Sequence, residues 1–209
     1  MRSRVAGRLA VLSAAAGVCG AMLVPFVSIV HAVSAPLATA DAQSAPPAVA
    51  SVIKYWLEPP PPPDAGVVGQ GQWLFRHWGC FLCHGSEGRG GVANPNYIKD
   101  TIPALNRIAD WMLLYDAQDV AVIVDHLKRG TRLDTLVASP PVPRFAVFLA
   151  QYHSLQSLIR NGSVPGKKDP RGPTPTLRMP AWNQQLSEAD VDAILAYLLT
   201  LRPATEPGR

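Results

Sequence analysis

The sequence feature that most constrains this chain is the pattern Cys-x-x-Cys-His within residues 78–85, which read WGCFLCHG. This pattern is the attachment signal for a c-type haem. Cys80 and Cys83 are three residues apart, so each thiol can form a thioether bond to one edge of a porphyrin. His84 follows directly and can donate a ring nitrogen to the iron as the proximal ligand. The motif therefore predicts one covalently bound haem c.

Two other interpretations of the motif fit the sequence less well. A structural zinc site needs about four protein ligands, usually as two pairs. The chain has only one further cysteine, Cys19, and it lies in an apolar N-terminal run. A thioredoxin-like redox pair is expected within a βαβ unit, and the sequence shows no such alternation of strands and helices. Haem attachment is therefore the favoured interpretation.

The residues that precede the motif divide into two parts. Residues 1–8 are basic and residues 9–33 carry no charged side chain. This order is typical of an export signal, and the uncharged run is also long enough to span a bilayer. We therefore predict that residues 1–33 are a signal peptide or a membrane anchor. Both alternatives place the remainder on the periplasmic side of a bacterial inner membrane, because the positive end stays inside.

A linker is predicted over residues 34–65. It is rich in Ala, Ser and Pro and contains five consecutive prolines, a composition that favours an extended, stiff chain. The more apolar segment 51–58 is interpreted as a short helix that packs on the following domain or docks on a partner. The net charge of +4 is concentrated in three arginines within residues 1–8, so the rest of the chain is nearly neutral. That balance argues against a nucleic-acid partner.

The remainder predicts an all-α domain, because no segment alternates as a strand does. Apolar spacing indicates a helix that runs from about residue 71 into the haem motif. A second helix covers 116–130, with Asp116 as its cap, and a third covers about 144–161. The last helix begins after Ser187, where Asp190 three residues later completes a capping pattern.

The sixth iron position requires a second ligand, and Met179 is the best candidate. It lies in a loop before the last helix and is followed by a proline; its thioether is a soft donor that raises the reduction potential. Met1 and Met22 belong to the N-terminal segment, and Met112 is interpreted as core packing. The competing donors are three histidines that we interpret as surface or core residues, and a bis-histidine haem remains the alternative: His77, His126 and His153.

Over residues 66–203 the chain resembles the class I cytochromes c, in which the haem motif, a late Met-Pro loop and a terminal helix occur together. The resemblance implies that an N-terminal helix, matched by Gly71 and Phe75, crosses the C-terminal helix at Tyr197. It also implies that a proline carbonyl orients the proximal histidine, and Pro103 is the best match, with Pro95 as a rival. Residues 204–209 are a tail.

The chain departs from this family in length. His84 and Met179 are separated by 95 residues, more than small members need, so residues 107–143 are interpreted as an insertion. It would cover a haem edge or provide a docking surface.

The function implied is the transfer of single electrons in a respiratory or photosynthetic chain, because a haem with both axial positions filled has no open site for a substrate. The chain would be a haem subunit of a larger membrane complex or dehydrogenase, or a tethered shuttle. Its redox partners would be a quinol-oxidising complex, a terminal oxidase or a dehydrogenase. The alternative is a haem enzyme or gas sensor with a displaceable sixth ligand.

Overall fold

A computed structural model describes residues 47–201. The predictions for residues 1–33, for the start of the linker, for Cys19 and for the tail lie outside these residues. The described chain contains seven α-helices, in the order α1 (Pro47–Leu57), α2 (Gly66–His77), α3 (Cys80–His84), α4 (Ile108–Trp111), α5 (Ala117–Lys128), α6 (Phe145–Asn161) and α7 (Glu188–Thr200). Short 3-10 turns lie at Pro63–Ala65, Ser86–Gly88 and Leu133–Leu136.

The expected all-α architecture is confirmed for residues 47–201. Extended backbone pairing there is limited to three isolated antiparallel bridges, which join residues 93 to 101, 97 to 167 and 163 to 179. Within the same residues, every helix is too short or too polar to cross a membrane.

The crossing of α2 and α7 is the most extensive helix contact of the domain. At Gly71 the helices approach so closely that an added Cβ would lie 1.8 Å from the backbone oxygen of Ala193. Phe75 packs beside this point on Tyr197, with ring centroids 5.7 Å apart. The pairing implied for Gly71, Phe75 and Tyr197 is therefore confirmed, and it places the end of α2 directly before the haem motif.

The helix that leads into the motif is interrupted, contrary to the sequence prediction. The α2 helix ends at His77, and α3 begins at Cys80. Gly79 lies between them with φ of 71°, a left-handed conformation that glycine adopts without a steric penalty. The chain therefore turns before the first cysteine instead of continuing straight through it.

Part of the predicted linker packs on the haem motif as helix α1. The ring of Tyr55 meets the ring of Phe81 edge-on at 5.0 Å, and Phe81 lies between the two cysteines. The indole Nε1 of Trp73 donates to the backbone oxygen of Glu58 over 3.0 Å. The interpretation of segment 51–58 as a helix that packs on the domain agrees with these contacts.

The region interpreted as an insertion contains α4, α5 and the turn Leu133–Leu136. Asp116 caps α5 as expected, because its carboxylate accepts from the backbone N–H of Gln118 over 2.8 Å. The apolar face of α5 is buried against the rest of the core through residues that include Val120, Ile123 and Val124.

The predicted capping pattern of α7 is present. The hydroxyl of Ser187 accepts from the backbone N–H of Asp190, and the Asp190 carboxylate accepts from the backbone N–H of Ser187 over 2.9 Å.

We expect Ser187→Ala to lower the free energy of unfolding by about 1 kcal/mol, because a helix N–H loses its partner. Chemical denaturation of the holoprotein followed by circular dichroism measures this change. Ser139→Ala, at an exposed serine outside the helices, is the control; an equal loss there would contradict the assignment.

Candidate functional site

All five residues singled out by the sequence line one cavity. Cys80, Cys83 and His84 come from α3, Pro103 from the following loop and Met179 from the loop before α7. The remaining lining is mostly apolar and includes Phe75, Ile102, Leu105, Leu177, Trp182, Ile194 and Leu198. The cavity therefore combines two thiols, an imidazole and a thioether within an apolar surface.

The imidazole of His84 is held by the backbone of Pro103. His84 Nδ1 lies 3.3 Å from the Pro103 oxygen, and because a carbonyl can only accept, Nδ1 must carry the proton. The other ring nitrogen, Nε2, is then free to act as a metal ligand. Burial lowers the pKa of His84, and the Pro103 hydrogen bond opposes that shift only in part. Pro95, the rival for this contact, is exposed and is not among the cavity residues.

Backbone pairing fixes the position of Pro103. The N–H of Gly91 donates to the oxygen of Ile102 over 3.0 Å, and the N–H of Leu105 donates to the oxygen of Gly88 over 2.6 Å. The loop that follows the motif thus folds back on itself and presents the intervening Pro103 carbonyl to the histidine. Nothing in the local sequence indicates this pairing, which is why the contact could be anticipated only from the family resemblance.

The two thiols are not paired with each other. Burial raises the pKa of Cys80 to about 12, and it raises the pKa of Cys83 in the same direction. Zinc binding and disulfide exchange both use the thiolate, so this environment does not favour them. Within residues 47–201 there is also no group of three or more His, Cys, Asp or Glu side chains placed to hold a metal ion.

The loop that carries Met179 packs against the end of α6. The N–H of Ser163 donates to the Met179 oxygen over 3.0 Å, and the N–H of Trp182 donates to the oxygen of Ile159. Gly162 has φ of 69°, and a Cβ there would lie 2.5 Å from the Met179 oxygen. A side chain at that position would therefore displace the Met179 backbone.

The competing donors lie elsewhere in the described part of the chain. Met112 is 1% exposed and belongs to the core, as the sequence indicated. Neither it nor His77, His126 or His153 lines the cavity. His77 stacks on Trp73, and His153 lies 3.2 Å from an Asp134 oxygen.

Sequence reasoning missed Asn94, a polar residue that lines the cavity. Its side chain is completely buried, and its carboxamide makes two hydrogen bonds to the backbone of Leu177. These partners are 83 residues apart, and an asparagine in a loop is common. The sequence therefore holds no local signal for this contact.

The cavity fits a haem c by the chemistry of its donors. Cys80 and Cys83 supply the two thiols needed for thioether bonds, and His84 presents an unprotonated ring nitrogen beside them. The apolar lining suits the faces of a porphyrin, which are also apolar. The buried polar side chain at the cavity, Asn94, is satisfied by backbone partners and needs nothing from a ligand.

Comparison with known proteins agrees with this arrangement. Residues 67–198, more than half of the chain, match the family described as "Cytochrome C oxidase, cbb3-type, subunit III". No curated protein and no solved structure matches the chain. The matched region begins in α2, includes the whole haem motif and ends within α7. The chain therefore belongs to the cbb3-type cytochrome c oxidase subunit III family and is a class I c-type cytochrome with a covalently bound haem c that serves electron transfer.

Proposed function

We propose that this protein carries single electrons in a respiratory chain, as the haem subunit of a membrane-bound terminal oxidase complex. The observation that carries the proposal is the presence of His84 and Met179 in the same apolar cavity, beside the two cysteines. His84 and Met179 together would hold a haem iron with no position left open for a substrate. An iron of this kind exchanges electrons with little rearrangement.

Each residue of the cavity has a defined part in this proposal. Cys80 and Cys83 anchor the haem, which supplies an iron that changes its charge by one electron. The Pro103 carbonyl fixes the ring of His84 and increases its basicity as a ligand. The thioether of Met179 favours the reduced state and so raises the reduction potential. The apolar lining keeps water away and acts in the same direction, because it disfavours the more highly charged oxidised state.

The proposed partners follow from the family and from the N-terminal sequence. The family description names a subunit of a cytochrome c oxidase, which favours a terminal oxidase over a quinol-oxidising complex or a dehydrogenase. Residues 1–33 would export or anchor the chain, and the linker 34–65 would carry the domain 66–203 on the periplasmic side. The insertion 107–143 would serve as a surface for a fixed partner. Beyond residues 1–8 the chain has 16 basic and 15 acidic side chains, so it lacks the excess charge that steers rapid encounters of a free shuttle.

We expect Met179→Ala to open the sixth iron position. The variant should lose the weak far-red ferric band that methionine sulfur produces, bind carbon monoxide when reduced, and show a potential lower by on the order of 0.1 V, within the span of about 0.8 V that axial ligands control. Optical spectra of the full-length holoprotein, recorded ferric, ferrous and ferrous with carbon monoxide, measure all three changes.

Met112→Leu is the matched control, since it replaces a buried methionine outside the cavity with a residue of similar volume. Its spectra should be those of the native protein. If Met179→Ala leaves band and potential unchanged, Met179 is not the ligand. If the native protein itself binds carbon monoxide and lacks the band, the site is open and the gas-sensor or enzyme alternative is favoured.

A further inference from the structure

We propose that Asn94 is the positioning residue that holds Met179 at the sixth iron position. Its carboxamide forms two hydrogen bonds with the peptide backbone of Leu177, two residues before Met179. The inference rests on the proposed function, in which Met179 is the axial ligand. According to this inference, the loop that follows the haem motif positions Met179, a ligand that lies much later in the chain.

The contact between Asn94 and Leu177 is bidentate; the Asn94 side chain is fully buried and Leu177 is half-buried. Asn94 Nδ2 donates to the Leu177 oxygen over 2.9 Å, and the Leu177 N–H donates to Asn94 Oδ1 over 3.0 Å. The side chain has 0% exposure and is the buried polar residue of the described core. A primary carboxamide offers a donor and an acceptor side by side, which matches the two groups of one residue's backbone. Loss of the Asn94 carboxamide would remove both hydrogen bonds that hold the half-buried backbone of Leu177.

Asn94 is itself held rigidly by its own loop. Its N–H donates to the oxygen of Asp100 over 2.7 Å, and its oxygen accepts from the N–H of Tyr97 over 3.0 Å. This turn follows the haem motif and leads to Pro103, which contacts His84. The same short segment therefore contacts the backbone near Met179 at one end and leads to the histidine contact at the other.

The Met179 loop depends on such external contacts because it has little regular structure of its own. Between α6 and α7 its backbone pairing consists of isolated bridges and turns. The Ser163 N–H fixes the carbonyl of Met179 itself, and the Asn94 carboxamide fixes Leu177. The backbone at and just before Met179 is thus held by two contacts. The contact from Ser163 is made by its backbone, whereas the contact from Asn94 is made by a side chain and can be removed by substitution.

Asn96 offers a matched comparison in the same turn. Its side chain also binds the backbone of the distal loop. Asn96 Nδ2 donates to the oxygens of Asp169 over 3.1 Å and Pro173 over 2.5 Å, and Oδ1 accepts from the N–H of Asp169 over 2.8 Å. These partners lie ten and six residues before Met179, whereas Leu177 is two residues before it. Asn96 has φ of 62°, so glycine preserves its backbone while removing the side-chain contact.

The test compares Asn94→Leu and Asn94→Ser with Asn96→Gly and Met179→Ala, all as full-length holoproteins. Asn94→Leu keeps the branching and the number of side-chain heavy atoms, is bulkier, and has no hydrogen-bonding group. Asn94→Ser is the milder variant, and its hydroxyl is too short to reach both groups of Leu177. The readouts are the far-red ferric band, carbon monoxide binding to the ferrous form and the reduction potential, with far-ultraviolet circular dichroism as the measure of folding.

We expect both Asn94 variants to shift the ratio of methionine-bound to methionine-free haem about 10- to 100-fold towards the free form, the shift that corresponds to the loss of two hydrogen bonds. The band should weaken, carbon monoxide should bind and the potential should fall, while helix content stays native. Asn96→Gly should retain the native spectrum. If Asn94→Leu does not fold, Asn94→Ser decides the outcome.

Two results would overturn the inference. In the first, Met179→Ala opens the site but Asn94→Ser keeps the native band and potential. In the second, Asn96→Gly weakens the band as much as Asn94→Ser does, which would mean that any loosening of the loop suffices. If Met179→Ala itself is indistinguishable from the native protein, the ligand assignment fails instead, and the two failures are thereby distinguished.

Discussion

Replacement of Gly71 by alanine is expected to cost about 3 kcal/mol of folding stability, the upper part of the range for overpacked cores. The added Cβ would lie 1.8 Å from the Ala193 oxygen and 2.4 Å from its carbonyl carbon. These are backbone atoms of α7, so no side-chain rotation can relieve the contact and the two helices must separate. A loss of this size is a large part of the 5–15 kcal/mol that typically stabilises a domain.

The measurement is chemical denaturation of the holoprotein, followed by circular dichroism and by the haem absorbance. The control is Gly166→Ala, because a Cβ at that loop position would meet nothing within 4 Å; its stability should be close to native. Native stability of the Gly71→Ala protein would contradict the close helix crossing. Since α2 leads directly into the motif, we also expect the haem absorbance to change in the same transition as the helix signal.

The double substitution Cys80→Ser, Cys83→Ser is expected to abolish covalent haem retention. A serine hydroxyl cannot form the thioether bonds, so only the axial ligands and apolar contacts would remain. Acidified acetone should extract all haem from this variant and none from the native protein. Each single substitution should leave one bond and retain the haem during extraction.

Cys19→Ser is the matched control, because Cys19 lies outside the motif in the uncharged N-terminal run. Its haem should resist extraction as the native haem does. Haem that stayed with the protein after the double substitution would refute attachment at these two residues.

Structural features that depend only on residues within one or two helical turns of each other could be predicted from the sequence. The Ser187 and Asp190 capping pattern and the apolar face of α5 are local, and the structure contains both. The break at Gly79 was missed because the apolar spacing of Leu74 and Phe81 continues across it. Spacing reports which residues share a face but not whether the backbone between them turns.

The helix expected within residues 51–58 is present as α1, but it begins earlier, at Pro47, inside the stretch rich in alanine and proline. Its position depends on the contact between Tyr55 and Phe81, 26 residues later, and tertiary contacts of this kind override local preference. The hydrogen bonds between Asn94 and Leu177 join residues that are 83 positions apart, so no local sequence pattern predicts them. The haem motif can therefore be identified from the sequence alone. The long-range contacts that position a ligand can be identified only once the folded structure is known.

The two sides of the cavity differ in how far apart along the chain their partners lie. His84 reaches Pro103 across 19 residues, whereas Asn94 reaches Leu177 across 83. Closing a longer loop costs more conformational entropy and is slower. We therefore expect the histidine side to assemble first and methionine ligation to be the last step of maturation. While the second half of the chain is still unfolded, the two cysteines would remain accessible, so the haem could be attached before the site closes.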